Sequence, residues 1–389
     1  MGAKIRRKPN AYGTDGLVPI EQTERLYEEW DVGGSEEEIA IDRQYHSYVF
    51  RKMLFMAACV VSAIVAAGLI ITVGEFQIGF SEVYQIIWDH ITKGPPEEGI
   101  DIIKDNVVWT LRLPRVLVGF VAGFGLAVAG AVMQSTMKNP MADSYTTGIS
   151  SGAAFGATLG IVLNINIVSG DFSMIANSFL FSLAPTALIV LLSQKKALSS
   201  TSMILAGLAV MYIFNALTAA IKLMADPDSL AALYRFQVGT LNNSTWEDLP
   251  VMAIVTVIGT AALVLLSNRI NVLSTGDESA KSLGINASKL RILCLVIVSL
   301  VSASIVAYTG IIGFVGLVAP HVARIFIGSD NKYLIPAAAV FGALLMIVSD
   351  FIGRTIISPS VLEVGVVTAF IGGPLFLWLI LRQQKEVWS

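Results

Sequence analysis

The chain opens on about fifty polar residues and then passes into apolar runs separated by short polar stretches. A helix needs about twenty mostly apolar residues to cross the hydrocarbon core of a bilayer. Runs of that kind occupy residues 53–73, 116–137, 145–168, 173–193, 202–224, 249–267, 292–309, 310–327, 333–352 and 361–381. The seventh and eighth adjoin. We divide them at Tyr308-Thr309-Gly310, because one unbroken helix of that length would overshoot the membrane. The pattern therefore predicts an all-α polytopic membrane domain of about ten transmembrane helices over residues 51–385.

Charge orients the spans. With the N-terminus in the cytoplasm and each span reversing direction, only Lys93, Lys104, Arg112, Arg115, Lys222, Arg235 and Arg354 of the 26 Lys and Arg residues fall on the outer side. That asymmetry fits a multi-pass protein of the cell membrane with both termini cytoplasmic. Spans 2–5 then begin outside and spans 7–10 begin inside, so the two four-helix halves would form an inverted repeat. The tail, residues 1–50, has a basic cluster at Lys4, Arg6, Arg7 and Lys8 without a following apolar segment, and is not a cleavable signal. Its remainder is acidic, with a short helix predicted over 20–31 that Gly33-Gly34 would end. It reads as a solvated, partly disordered cytosolic segment.

Composition narrows the function. Apolar residues make up 54% of the chain and charged residues 14%, with a mean hydropathy of +0.70, which leaves too few polar groups to cover a water-facing surface. The net charge of -3 offers no basic stripe for nucleic acid. Cys59 and Cys294 lie inside apolar runs and read as packing residues. The three histidines, His46, His90 and His321, are far apart and join no metal-ligand cluster. No phosphate-binding loop is present, so the chain is not expected to hydrolyse ATP, and no hydrolase or zincin motif suggests another enzyme. Ionisable residues are nearly missing from mid-membrane, which counts against the main alternative, an ion-coupled secondary transporter of a small solute.

Small residues crowd some spans, as in Val118 to Gly130 and Gly148 to Gly156, and let helix backbones approach closely in lipid. Gly148, Ser150, Ser151 and Gly152, just after Asn139-Pro140, are candidates for an irregular, polar-lined start to the third span and for lining a pathway.

Four segments carry a resemblance to a known family. They are Arg112-Leu113-Pro114-Arg115 leading to Gly130-Ala-Val-Met-Gln134 and Lys138-Asn139-Pro140-Met141-Ala142-Asp143; Gly148-Ile-Ser-Ser-Gly152; Gly276 to Gly284; and Gly313-Phe-Val-Gly316 through Pro320-His321 to Pro374. In this order, over about residues 50 to 385, the chain resembles the permease subunits of the iron-siderophore, haem and cobalamin type II ABC importers. The resemblance implies a partnership of two permeases, identical or paralogous, two cytosolic ATPases that hold the ATP and magnesium, and an extracytoplasmic binding protein. This chain would hold no cofactor. The cargo implied is a metal chelate, with ferric siderophore preferred and haem or cobalamin open.

Site residues follow by motif. Arg112, Arg115 and Arg354 resemble the arginines that dock acidic residues of the binding protein. The alternatives are interfacial snorkelling for the first two and an internal pair with Asp350 for Arg354. Gly276, Asp277, Glu278, Ala280, Leu283 and Gly284 resemble the coupling helix that enters a cleft of the ATPase. Locally, Thr275 can cap this helix, the two acids suit its first turn, Ala280 and Leu283 form a small apolar patch, and Gly284 can end it in the left-handed conformation. Ser200 and Thr201 resemble the cytoplasmic gate, or serve as an N-cap for the fifth span.

Overall fold

The computed structural model describes residues 36–72, 76, 78–96, 99–170, 172–195, 199–357 and 360–387. The helix expected over 20–31 lies outside them. The chain divides into two units, Met1–Arg51 and Lys52–Ser389. Among the described residues every regular element is a helix: α1 (Glu36–Thr72), α2 (Phe80–Lys93), α3 (Ile100–Met137), α4 (Ile149–Leu163), α5 (Ser173–Lys195), α6 (Ser200–Lys222), α7 (Pro227–Val238), α8 (Asp248–Leu265), α9 (Ser267–Thr275), α10 (Asp277–Ser282), α11 (Ala287–Thr309), α12 (Val315–Ile327), α13 (Asn331–Thr355) and α14 (Val364–Val387).

Seven of these, α1, α3, α5, α6, α8, α11 and α13, are long and apolar enough to cross a membrane. Three shorter apolar helices, α4, α12 and the first part of α14, coincide with the remaining expected runs. The second span starts sixteen residues before its apolar run, at Ile100 rather than 116. Lys104, Asp105 and Arg112 interrupt the apolar pattern, yet each finds a partner, so the helix continues through them. Residues Asn106–Arg112 form a π-helical turn within it. Among the described residues, α2, α7 and α9 fell outside the apolar runs. Of these, α7 carried its own start signal, since Asp226 accepts hydrogen bonds from the Asp228 and Ser229 amides at 3.0 Å and Pro227 opens the first turn.

The centre of the bundle is α3, with 78% of its apolar window buried, followed by α11 at 72%. By contrast α6 is only 17% buried, so most of its surface is left for lipid or a second subunit. Close packing around α3 is backbone on backbone. A side chain at Gly130 would overlap the Gly316 carbonyl of α12, and one at Gly123 would overlap the Gly342 carbonyl of α13. Without a hydrophobic force between helices in lipid, such contacts hold the bundle through dispersion.

Two helices are too short to cross alone. At about 1.5 Å per residue, α4 and α12 span roughly 20 Å each against a core of about 30 Å. Their missing lengths are made by the irregular stretches 138–148 and 310–314. The expected division at Gly310 is present, with φ +69 there, but α12 starts only at Val315 behind a left-handed Phe314. The Tyr145 hydroxyl donates to the Ile312 carbonyl and joins the two stretches. Asp143, Ser144 and Thr147 are buried, and Asp143 accepts from the Thr146 amide at 2.9 Å. Non-helical backbone at membrane depth is tolerated when protein surrounds it in this way.

Candidate functional site

At the end of the bundle where α3 terminates, α9 and α10 form a short helical corner. Gly276 has φ +145 and Gly284 φ +76, so both flanks of α10 need glycine. The Ile285 amide donates to the Ala280 carbonyl and that of Gly284 to Lys281, a left-handed stop that satisfies the last carbonyls. Thr275 does not cap this helix: its hydroxyl bonds back to Val272 within α9, and Gly276 takes the cap position. Glu278, Leu283 and Gly284 are exposed, Leu283 at 67%. Ala280 is different. It is fully buried against the bundle, so it belongs to the packing under α10 and not to an outward patch. Asp277 also turns inward, to the Arg291 guanidinium and, at 3.3 Å, to Lys138. These cations hold its carboxyl below the usual range, Arg291 first.

Away from that corner, two of the three expected docking arginines, Arg112 and Arg115, lie inside α3 and Arg354 lies in the last turn of α13, and their guanidinium groups point into the protein. Arg112 is 4% exposed and donates to the carbonyls of Ile71 and Phe76, at 2.8 Å to the latter. Arg354 reaches the Ile70 carbonyl at 3.5 Å. Both therefore serve the C-terminal end of α1, where free carbonyls and the helix dipole favour a cation. Arg115 is 8% exposed and makes a two-pronged pair with Asp350, Nε–Oδ1 3.0 Å and Nη2–Oδ1 2.6 Å. Asp350 thus partners Arg115, on another helix, and not Arg354 four residues along its own. Asn242 extends the cluster, accepting from Arg115 at 2.5 Å and donating to Glu363 at 3.1 Å. A buried guanidinium requires acceptors on every side, and these carbonyls and carboxylates supply them.

Near Arg112, α2 is held to α3 by His90 Nδ1, 2.8 Å from Asp105, and by Lys104 paired with Glu82. The His90 ring stacks on Trp109 at 3.9 Å. Glu82, His90, Lys104 and Asp105 border a cavity of about 500 Å³.

The pathway candidates lie where α4 begins. Gly148 is the left-handed capping residue just before it, with φ +87, and Ser151 donates to the Gly148 carbonyl at 2.8 Å. Ser151 and Gly152 are buried, Gly152 against the Phe181 carbonyl of α5, while Ser150 is half-buried. Gly152 is therefore a packing residue whose hydrogen allows α4 to approach α5. The irregular part lies before it, in 138–148. Ser200 and Thr201 occupy the first turn of α6, and the capping residue is Ser199, whose hydroxyl accepts from the Ser202 amide at 3.1 Å. Further along, Gly207 packs on the backbone of Thr147, so α6 touches the same irregular stretch.

The family model described as the FecCD transport family matches residues 56–382. The chain belongs to the FecCD transport family. FecCD relatives include an Fe(3+)-citrate import system permease of Bacillus subtilis, 34% identical over 85% of this chain and 94% of the relative. A hemin transport system permease of Yersinia pestis is 37% identical over 72% of this chain and 84% of its own length. A cobalamin import system permease of Halobacterium salinarum is 35% identical, with coverages of 75% and 78%. A solved inward-facing structure, of an ABC transporter assigned to the metal-chelate type, aligns at a TM-score of 0.74 and 28% identity over 84% of this chain and 98% of that one. As a FecCD protein the chain is a multi-pass membrane permease of the ABC-importer class. Sequence reasoning missed the inward roles of Arg291, Lys138 and Asn242, and paired Asp350 with Arg354 where the structure gives it Arg115. The one available signal was Arg291 and Asp350 standing inside or beside apolar runs, where a charge needs a partner.

Proposed function

We propose that this FecCD permease forms the membrane pathway of an importer for a metal chelate, ferric siderophore by preference, driven by ATP hydrolysed on separate cytosolic subunits. The observation that carries the reading is α10. It is a short helix with glycine-dependent flanks and an exposed Leu283, in a chain whose relatives are permeases for ferric citrate, hemin and cobalamin. Ala280 and Asp277 anchor this six-residue helix to the bundle, and Leu283 just after it stays exposed. A partner's groove would cover it.

In this reading the α10 face is cytosolic, as are both termini, and Gly276, Glu278, Leu283 and Gly284 contact the ATPase. Ser200 and Thr201 gate the same side, and the stretch 138–148 with Ser150 lies along the route. A second permease copy or paralogue covers the sparsely buried α6. The extracytoplasmic binding protein docks on the opposite face, where Arg354 keeps more exposure than Arg112 or Arg115. Deleting the gene and measuring uptake of ferric citrate, a ferric hydroxamate siderophore, hemin and cobalamin tests the reading. Loss of one of these, restored by the wild-type gene, supports it; unchanged uptake of all four refutes the chelate assignment.

A further inference from the structure

On the α10 face one carboxylate joins three elements. Asp277, in the first turn of α10, accepts from Arg291 at the start of α11 and lies 3.3 Å from Lys138, the left-handed residue that ends α3. Arg291 is 1% exposed and also donates through Nε to the Thr136 carbonyl of α3 at 3.1 Å. That carbonyl belongs to the last turn of a helix, where it has no partner of its own helix. Beside this knot, a second set of side chains binds α9 to α3 and α13. Asn271 bonds to Asp330 at 2.7 Å and to Asn331 at 2.8 Å, and Ser135 donates to Asn331 at 2.7 Å.

A charge with almost no exposure is costly to bury and is kept only where its partners are fixed. Here the partners of Arg291 are α10 and the end of α3, the most buried long helix in the bundle. The side chain of Asp277 is still 48% exposed on its other side. Covering α10 would remove that water and leave Arg291 and Lys138 as the carboxylate's remaining partners, so separating them would then cost more. The joint therefore tightens as α10 is engaged, and α3 feels it.

We propose that Arg291, with Lys138, is the positioning joint that carries movement of α10 into the end of α3. This deepens the proposed function, since it takes α10 as the ATPase contact. The residues act through α10 and touch neither nucleotide nor cargo.

The test uses the complete complex, purified with its ATPase and placed in nanodiscs. Hydrogen–deuterium exchange is compared before and after trapping with Mg-ATP and vanadate. In the wild type, protection should change both in 276–284 and in 131–138. In Arg291→Gln and in Lys138→Met, the change in 276–284 should remain while that in 131–138 falls at least five-fold, and Arg291→Lys should recover more of it than Arg291→Gln. Should Arg291→Gln fold poorly, Lys138→Met carries the test, because Lys138 is exposed. Equal changes in 131–138 for wild type and Lys138→Met would overturn the joint. No change in 276–284 of the wild type would instead overturn the ATPase contact, and the joint with it.

Discussion

Replacing Arg115 by Met keeps the aliphatic stem and removes the guanidinium from a pair in which both side chains are under a tenth exposed. The change strands the Asp350 carboxylate with no other cation among the described residues bonded to it, and it frees the Asn242 oxygen that accepts from Arg115. Breaking one side of a buried pair costs about 3–5 kcal/mol. Against a total stability of roughly 5–15 kcal/mol for a typical domain, that is a large fraction. The unfolding midpoint of the permease in detergent should fall by roughly 5–10 °C. Arg115→Met combined with Asp350→Leu removes both charges and should recover most of the loss, because an apolar pair of similar volume replaces the ion pair about as well. Thermal unfolding followed by tryptophan fluorescence measures all three proteins. An unchanged midpoint in Arg115→Met, with a lost affinity for the binding protein, would refute the inward placement and return Arg115 to the docking surface.

Ala280→Trp should lower stability by about 1–3 kcal/mol through overpacking, since position 280 is fully buried, and less folded protein should be recovered by size-exclusion chromatography. Leu283→Asp, on an exposed site, should instead leave the permease intact and reduce ATPase co-purification; full co-purification would move the contact elsewhere. Gly284→Val meets open space but must adopt φ +76, so it should cost about 1–2 kcal/mol from backbone strain alone, with Gly284→Asn milder in the same unfolding assay. The Asp277 carboxyl is depressed by Arg291 and Lys138, so its contribution is present above the unfolded carboxylate pKa and is lost as pH falls through the lower folded value. Exchange protection of 276–284 should accordingly stay flat from pH 8 to about 5 and fall only in acid below about 4, whereas a fall centred near pH 6 would indicate a different group.

Much of this protein was legible in its sequence because the membrane leaves so few choices. Backbone groups in lipid must bond within their own helix, so the apolar runs fixed the class, the place of each apolar helix and the break at Gly310, though three of those helices are shorter than the runs implied. The glycine stop of α10 was readable for a similar reason: a left-handed residue is a local demand that glycine meets. The arginines expected to dock a partner were not readable in the same way. Only Arg354 stands at a helix end as the chain suggested, since α3 runs on from Ile100 through Arg112 and Arg115, and whether a guanidinium faces water or a carbonyl depends on which helix stands beside it. Arg112 and Arg354 found the end of α1, and Arg115 found Asp350 across 235 positions of sequence. Ala280 reads as surface in a polar loop and is buried because α10 folds back onto the bundle. Local rules set backbone conformation, while burial and ion pairing are decided by non-local neighbours, and only the packed bundle supplies those.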